Sequence, residues 1–204
     1  MEIVKKLLLV GMVAAMGFTA AACSEEVPEA LTVDNASETS MYLRTDGSLS
    51  VAYVEEFTEN YYSGAGLSEY ASELADYYNK LNGTDIKVDG VKAAGGKATL
   101  LMSFDNADAF TGFDEGDSFL VNSYDKEAAQ TEFNDLSFIS ARKSKVVGTG
   151  SDVIKKGQAI AEVNGACLVQ TEGKILYYSE GELIDNYHIR VFDGENAVII
   201  YKIN

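Results

Sequence analysis

Apolar positions change their spacing several times along the chain, and each change predicts an element. Met41 to Phe57 alternates through MYLRT and SLSVAYVEEF around Asp46-Gly47, a two-residue turn signal that predicts a β-hairpin. Between Ser68 and Leu81 the apolar residues Tyr70, Leu74, Tyr77, Tyr78 and Leu81 recur at i, i+4, i+7, i+8 and i+11, the spacing of one helix face. That spacing predicts a helix with this stripe turned to the core, Ser68 at its start and Asn82-Gly83 as its stop. Ile86 to Phe104 predicts a second hairpin turning at Gly95-Gly96. Its first strand slips phase after Asp89-Gly90, so a β-bulge at Gly90 is expected, and Leu101 opposite the Ala98, Leu100, Met102, Phe104 face predicts cover from both sides.

A short helix is expected from Asn106 to Phe113 with Asp105 as N-cap, and another from Tyr124 to Phe133. Period-two runs then predict strands at 136–141, 145–147, 159–163, 166–171, 174–179, 187–192 and 197–203, several separated by glycine turns. Val198 to Ile200 is apolar on both faces, as in an interior strand. The expected fold class is therefore α+β: a mainly antiparallel sheet with one substantial helix and one or two short ones.

The start of the chain follows a different rule. Lys5 and Lys6 precede an uncharged, mostly apolar run of 16 residues, Leu7 to Ala22, which is short of the roughly 20 that span a bilayer. A basic start, an apolar stretch and the small residues Ala20-Ala21-Ala22 make residues 1–22 a secretory signal peptide, removed in the mature protein. Cys23, one of two cysteines, stands directly after those alanines as in the lipobox of bacterial lipoproteins, with Ala20 where leucine is usual. Cys23 is thus the expected lipidation site, and more than one acyl chain would hold it firmly in a membrane. Residues 23–40 are acidic and aperiodic, contain the sole proline, and read as a flexible linker behind the lipid. Residues 41–204 are left as a single α+β domain.

Charge narrows the partners. Removing residues 1–22 leaves 14 basic and 31 acidic residues, a net charge of -17. That excess repels nucleic acid and anionic lipid headgroups, leaving the acyl chains as the membrane contact. A mature chain of 182 residues buries enough surface to need no disulfide, and with Cys23 acylated only Cys167 remains, in an apolar stretch.

Several short stretches, taken with the lipobox and acidic linker, resemble a group of small uncharacterised lipoproteins of clostridial Gram-positive bacteria. They are Asp46-Gly47-Ser48, Val54-Glu55-Glu56-Phe57, Tyr61-Tyr62, Tyr78-Asn79, Gly96-Lys97-Ala98-Thr99 and Gly173-Lys174-Ile175-Leu176-Tyr177. The resemblance implies anchoring to the outer face of the cytoplasmic membrane and brings no activity with it.

Candidate chemistry is sparse. An EF-type calcium loop beginning at Asp85 fails at Lys87 and Gly96; the looser cluster Asp105, Asp108, Asp114, Glu115 and Asp117 reads better as a solvated acidic face than as a cation site. One histidine, His188, and one free thiol cannot complete a zinc site. Cys167 with His188 is the one possible nucleophilic pair, yet the cysteine falls in an apolar strand, where burial raises a thiol's pKa. The tyrosine pairs at 61-62, 77-78 and 177-178 read as amphipathic core filler rather than a sugar platform. The expectation is a membrane-anchored, extracytoplasmic, noncatalytic binding or accessory module, with no metal or cofactor and a protein or envelope component as partner. The alternative is an envelope cysteine hydrolase using Cys167 and His188.

Overall fold

The computed structural model describes residues 28–58, 63–114 and 120–203. Two mainly antiparallel sheets lie face to face. The first has seven strands: β1 (Ser40–Leu43), β2 (Leu49–Glu56), β3 (Lys87–Ala94), β4 (Lys97–Phe104), β9 (Cys167–Thr171), β11 (Glu182–Leu183) and β12 (His188–Val191), in the order β11-β12-β9-β1-β2-β4-β3. The second has six: β5 (Leu120–Tyr124), β6 (Ser137–Ser140), β7 (Lys145–Thr149), β8 (Gln158–Asn164), β10 (Ile175–Tyr178) and β13 (Asn196–Lys202), in the order β5-β8-β13-β10-β6-β7. Only β1 and β9 pair in parallel among the described strands. Among the described residues there are four helices: α1 (Gly64–Asn82), α2 (Ala107–Asp114), α3 (Lys126–Glu132) and α4 (Gly150–Val153).

The chain is α+β and mainly antiparallel, as its periodicity predicts, but it builds two sheets rather than one. Alternation explains why. On β13, Ala197, Ile199 and Tyr201 enter the core between the sheets, while Val198 and Ile200 enter a second core beneath α3 and α4. A strand with two buried faces needs a layer on each side. The inner core also holds Met41, Leu49, Val51, Phe104, Val169 and Ile189 from the first sheet; Ala129, Phe133, Phe138 and Ile154 close the second.

The predicted turns form as expected. Gly47 has φ 89° in the first hairpin, and Gly95 and Gly96 have φ 64° and 79° in the second, all left-handed values that glycine adopts freely. The β3–β4 register shifts between Val88 and Gly90, the bulge that the phase slip predicts. Opposite Gly90, Leu101 is buried, as is Met102 on the other face.

Five expectations are corrected. Residues 28–40 do not form a free linker. Pro28 to Thr39 run as a strap over the outer face of the first sheet: the Gln170 side-chain amide donates to the Glu29 carbonyl at 2.8 Å, Lys92 pairs with Asp34 at 2.9 Å, and Val33 sits against Gly90. Ser40 already belongs to β1. Helix α1 begins at Gly64, with the Ser63 side chain, not that of Ser68, accepting from Gly66 N–H. Asn106, not Asp105, caps α2 by accepting from Ala109 N–H at 2.8 Å. Tyr124 ends a strand, β5, and Asp125 caps the helix that follows. The fifth correction is the orientation of α1, which defines the site below. Residues 1–27, including Cys23, lie outside the described residues, as do Tyr61, Tyr62, Glu115 and Asp117.

Candidate functional site

Helix α1 lies along β3 at one end of the sandwich. Asn79 ties it there: its side-chain amide donates to the Ile86 carbonyl, and its side-chain oxygen accepts from Ile86 N–H and the Thr84 hydroxyl, all at 2.8 Å. The docking face is made of small residues. Ala71 and Ala75 are buried, and a Cβ on Gly64 would lie 3.3 Å from that of Ala93. Such a face lets a helix sit low on a strand, which large side chains would prevent.

The large apolar residues therefore point elsewhere. Of the predicted core stripe only Tyr78 is partly buried, its ring edge-on to Phe113 at 5.5 Å. Tyr70 and Tyr77 are each 65% exposed, Leu81 63% and Leu74 41%. The stripe is periodic as read, but turned outward. Tyr77, expected as core filler, presents its ring to solvent, whereas Tyr178 is buried. Lone exposed apolar residues are ordinary; four along one helix form an exposed apolar patch of the kind found at interaction surfaces.

A second feature is the cleft of about 290 Å³ between the strap and the first sheet, lined in part by Pro28, Leu31, Ser37, Gln170 and His188. The His188 ring nitrogen Nδ1 lies 2.9 Å from both carboxylate oxygens of Asp185. Burial alone would raise the Asp185 pKa, but hydrogen bonds from Tyr187 N–H and from the His188 ring and N–H more than offset it and hold the carboxyl below its ordinary range. The strap closes beside this cleft with an ion pair between Glu38 and Arg190.

Cys167 and His188 do not meet. Cys167 pairs with Val191 while His188 pairs with Gln170, three positions along the β9–β12 ladder. The thiol joins Val169 in the inner core, and the imidazole lines the cleft on the opposite face of the sheet. Burial, with Glu38 adding to it, pushes the Cys167 thiol up to about 12, far from the thiolate that nucleophilic attack requires.

Nor do the acidic residues gather among the described residues. No group of three or more His, Cys, Asp or Glu side chains fit to hold a metal occurs among the described residues. Asp114 accepts from the Tyr53 hydroxyl at 3.3 Å, and Asp108 is exposed on α2. Among the described residues a dense carboxylate network forms at Glu162, which accepts from Asn122, Tyr124 and Asn196 at 3.0, 2.7 and 2.7 Å. Those donors outweigh the burial that would raise its pKa, and they hold it low; the Tyr124 hydroxyl rises to about 12 through burial and this hydrogen bond. Every contact of that network is internal to the second sheet. Among the described residues no helix is long and apolar enough to cross a membrane.

No family profile, no curated protein and no solved structure matches this chain.

Proposed function

We propose that this chain is a lipid-anchored, noncatalytic binding or accessory module on the extracytoplasmic face of a cell membrane, with the exposed stripe of α1 as its contact surface. The stripe carries the reading: Tyr70, Leu74, Tyr77 and Leu81 stand open on a domain that fills two cores and covers the outer face of its first sheet with its own strap. The anchor rests on Cys23 placed directly after Ala20-Ala21-Ala22. The strap gives the anchor a mechanical consequence, because only residues 24–27 separate Cys23 from packed chain at Pro28. Five steps of extended backbone reach about 17 Å, so the domain rides close to the bilayer instead of swinging on a long tether. The noncatalytic part of the reading draws on the separation of Cys167 from His188.

Metabolic labelling with palmitate, followed by intact-mass analysis, tests the anchor. A lipid-sized mass increment on the mature chain, lost with release to the medium in Cys23→Ala, is the expected result. An unmodified mature terminus would overturn the anchored reading. Chemical labelling of Tyr70 and Tyr77 tests the surface: weaker reaction on intact cells than on purified chain diluted below any self-association is expected, and equal reaction in both would sink the contact role.

A further inference from the structure

The exposed residues of α1 have a spacing that serves another helix better than a core. Half-buried Leu67 and the exposed Tyr70, Leu74, Tyr77 and Leu81 are separated by three, four, three and four residues, a mean of 3.5, which is the repeat of a helix-to-helix seam. The face that docks α1 on its own domain is a different one, made by Ala71 and Ala75. Charges beside the seam are also paired in a particular way. Glu73 and Lys80 each precede a seam leucine by one residue, the same flanking position in successive repeats, and neither has an ion-pair partner among the described residues.

We propose that α1 is the interface of a two-fold symmetric dimer in which this seam packs antiparallel against the α1 of a second copy. This rests on the binding reading above and names its partner. With the symmetry axis between Leu74 and Tyr77, Leu74 meets the second copy's Tyr77 and Tyr70 meets its Leu81, so each ring faces a leucine. The same axis brings Glu73 opposite the second copy's Lys80, and symmetry makes that contact twice. A parallel pair would set Glu73 beside Tyr78 and stack like residue on like. The flanking charges therefore select both the antiparallel arrangement and a copy of the same chain, since one acid and one base placed about a common centre are self-complementary. A flat sugar would use Tyr70 and Tyr77, but not the leucines that alternate with them.

Sedimentation equilibrium of the full chain, purified from the producing cells in density-matched detergent, tests the dimer. Twice the chain mass is expected across the micromolar range. Leu74→Glu with Tyr77→Glu should give a monomer whose circular dichroism matches the parent and whose melting matches that of the parent diluted to monomer. Glu73→Lys and Lys80→Glu should each weaken association roughly tenfold, while the two together restore it. A monomer at every concentration, or a dimer indifferent to Leu74→Glu, overturns the proposal. Failure of the two readings separates cleanly. If the chain is monomeric while the tyrosines stay shielded on intact cells, the dimer falls and the binding reading stands; if shielding disappears when wall polysaccharide is digested, the occupant is a glycan and the dimer likewise falls.

Discussion

Two surfaces of this domain are finished in opposite ways. The outer face of the first sheet carries polar residues, Ser40, Thr99 and Gln170, and the chain buries them beneath the strap. The outward face of α1 carries Tyr70, Leu74, Tyr77 and Leu81, and the described chain leaves it open. Hydrophobicity alone would assign the cover the other way round. What decides instead is shape and hydrogen bonding. Gln170 finds a backbone carbonyl at Glu29 and so tolerates burial, whereas the large residues of α1 would lift the helix off β3 if they faced it.

The contrast is broken most strongly by emptying the seal between the helices and the sheets. Phe110 on α2 is fully buried, with its ring edge-on to Phe104 at 5.1 Å. Phe110→Ala is expected to cost about 3–5 kcal/mol in denaturant unfolding, the range for an aromatic removed from a core that relaxes only partly. Ala75→Leu tests the docking face of α1 directly. Ala75 is 2% exposed, and the added bulk should cost about 1–3 kcal/mol, although it makes the helix more apolar. A stability gain would show that α1 packs on its leucine-bearing face after all.

These positions also show which parts of the fold were legible in the sequence. Asp46-Gly47, Gly90 and the doubly apolar Val198–Ile200 run were readable because a turn, a bulge and an interior strand are specified within a few residues. The period of α1 was equally readable, but its phase relative to the sheet was not. Two alanines and a glycine outcompeted four large apolar residues for contact with β3, and only the partner strand could reveal that. The strap was illegible for a related reason: a polar residue such as Gln170, buried by a hydrogen bond to the distant Glu29 carbonyl, leaves no period in the local pattern. β5 was hidden because Tyr124 stands directly before the helix cap Asp125, and the helix signal absorbed it. Of the candidate site residues, the burial and raised pKa of Cys167 followed from its apolar neighbours. The open seam was present as a period but assigned to the wrong side.

Smaller changes sharpen the covered side. Gln170→Ala removes the bond to the Glu29 carbonyl and is expected to cost about 1 kcal/mol, with faster amide exchange along residues 28–39. Acid should act on the same side. The Asp185 carboxyl is held low in the folded chain, so its contribution is complete above its ordinary value of 3.8 and is lost as pH falls below that value. Protease sensitivity of the strap should rise in that range in the parent and shift less in Asp185→Asn, which has no carboxylate to protonate. An identical acid response in both would remove Asp185 from the account.

The smallest expected change is the most informative about α1. Tyr77 is 65% exposed and makes no hydrogen bond among the described residues, so Tyr77→Ser removes little that the isolated domain uses. In dilute chain, where any association is suppressed, thermal unfolding should move by no more than the equivalent of about 0.5 kcal/mol, the scatter of ordinary surface substitutions. The opposite face supplies the control, because Ala75, one helical turn from Ala71, is the residue whose alteration the domain should feel. A large loss from Tyr77→Ser in the dilute chain would mean that the ring packs on its own domain and that the stripe is covered. A negligible loss leaves the tyrosine without any role in holding the fold, and the reason for a ring at that position then lies in what α1 touches outside its own domain.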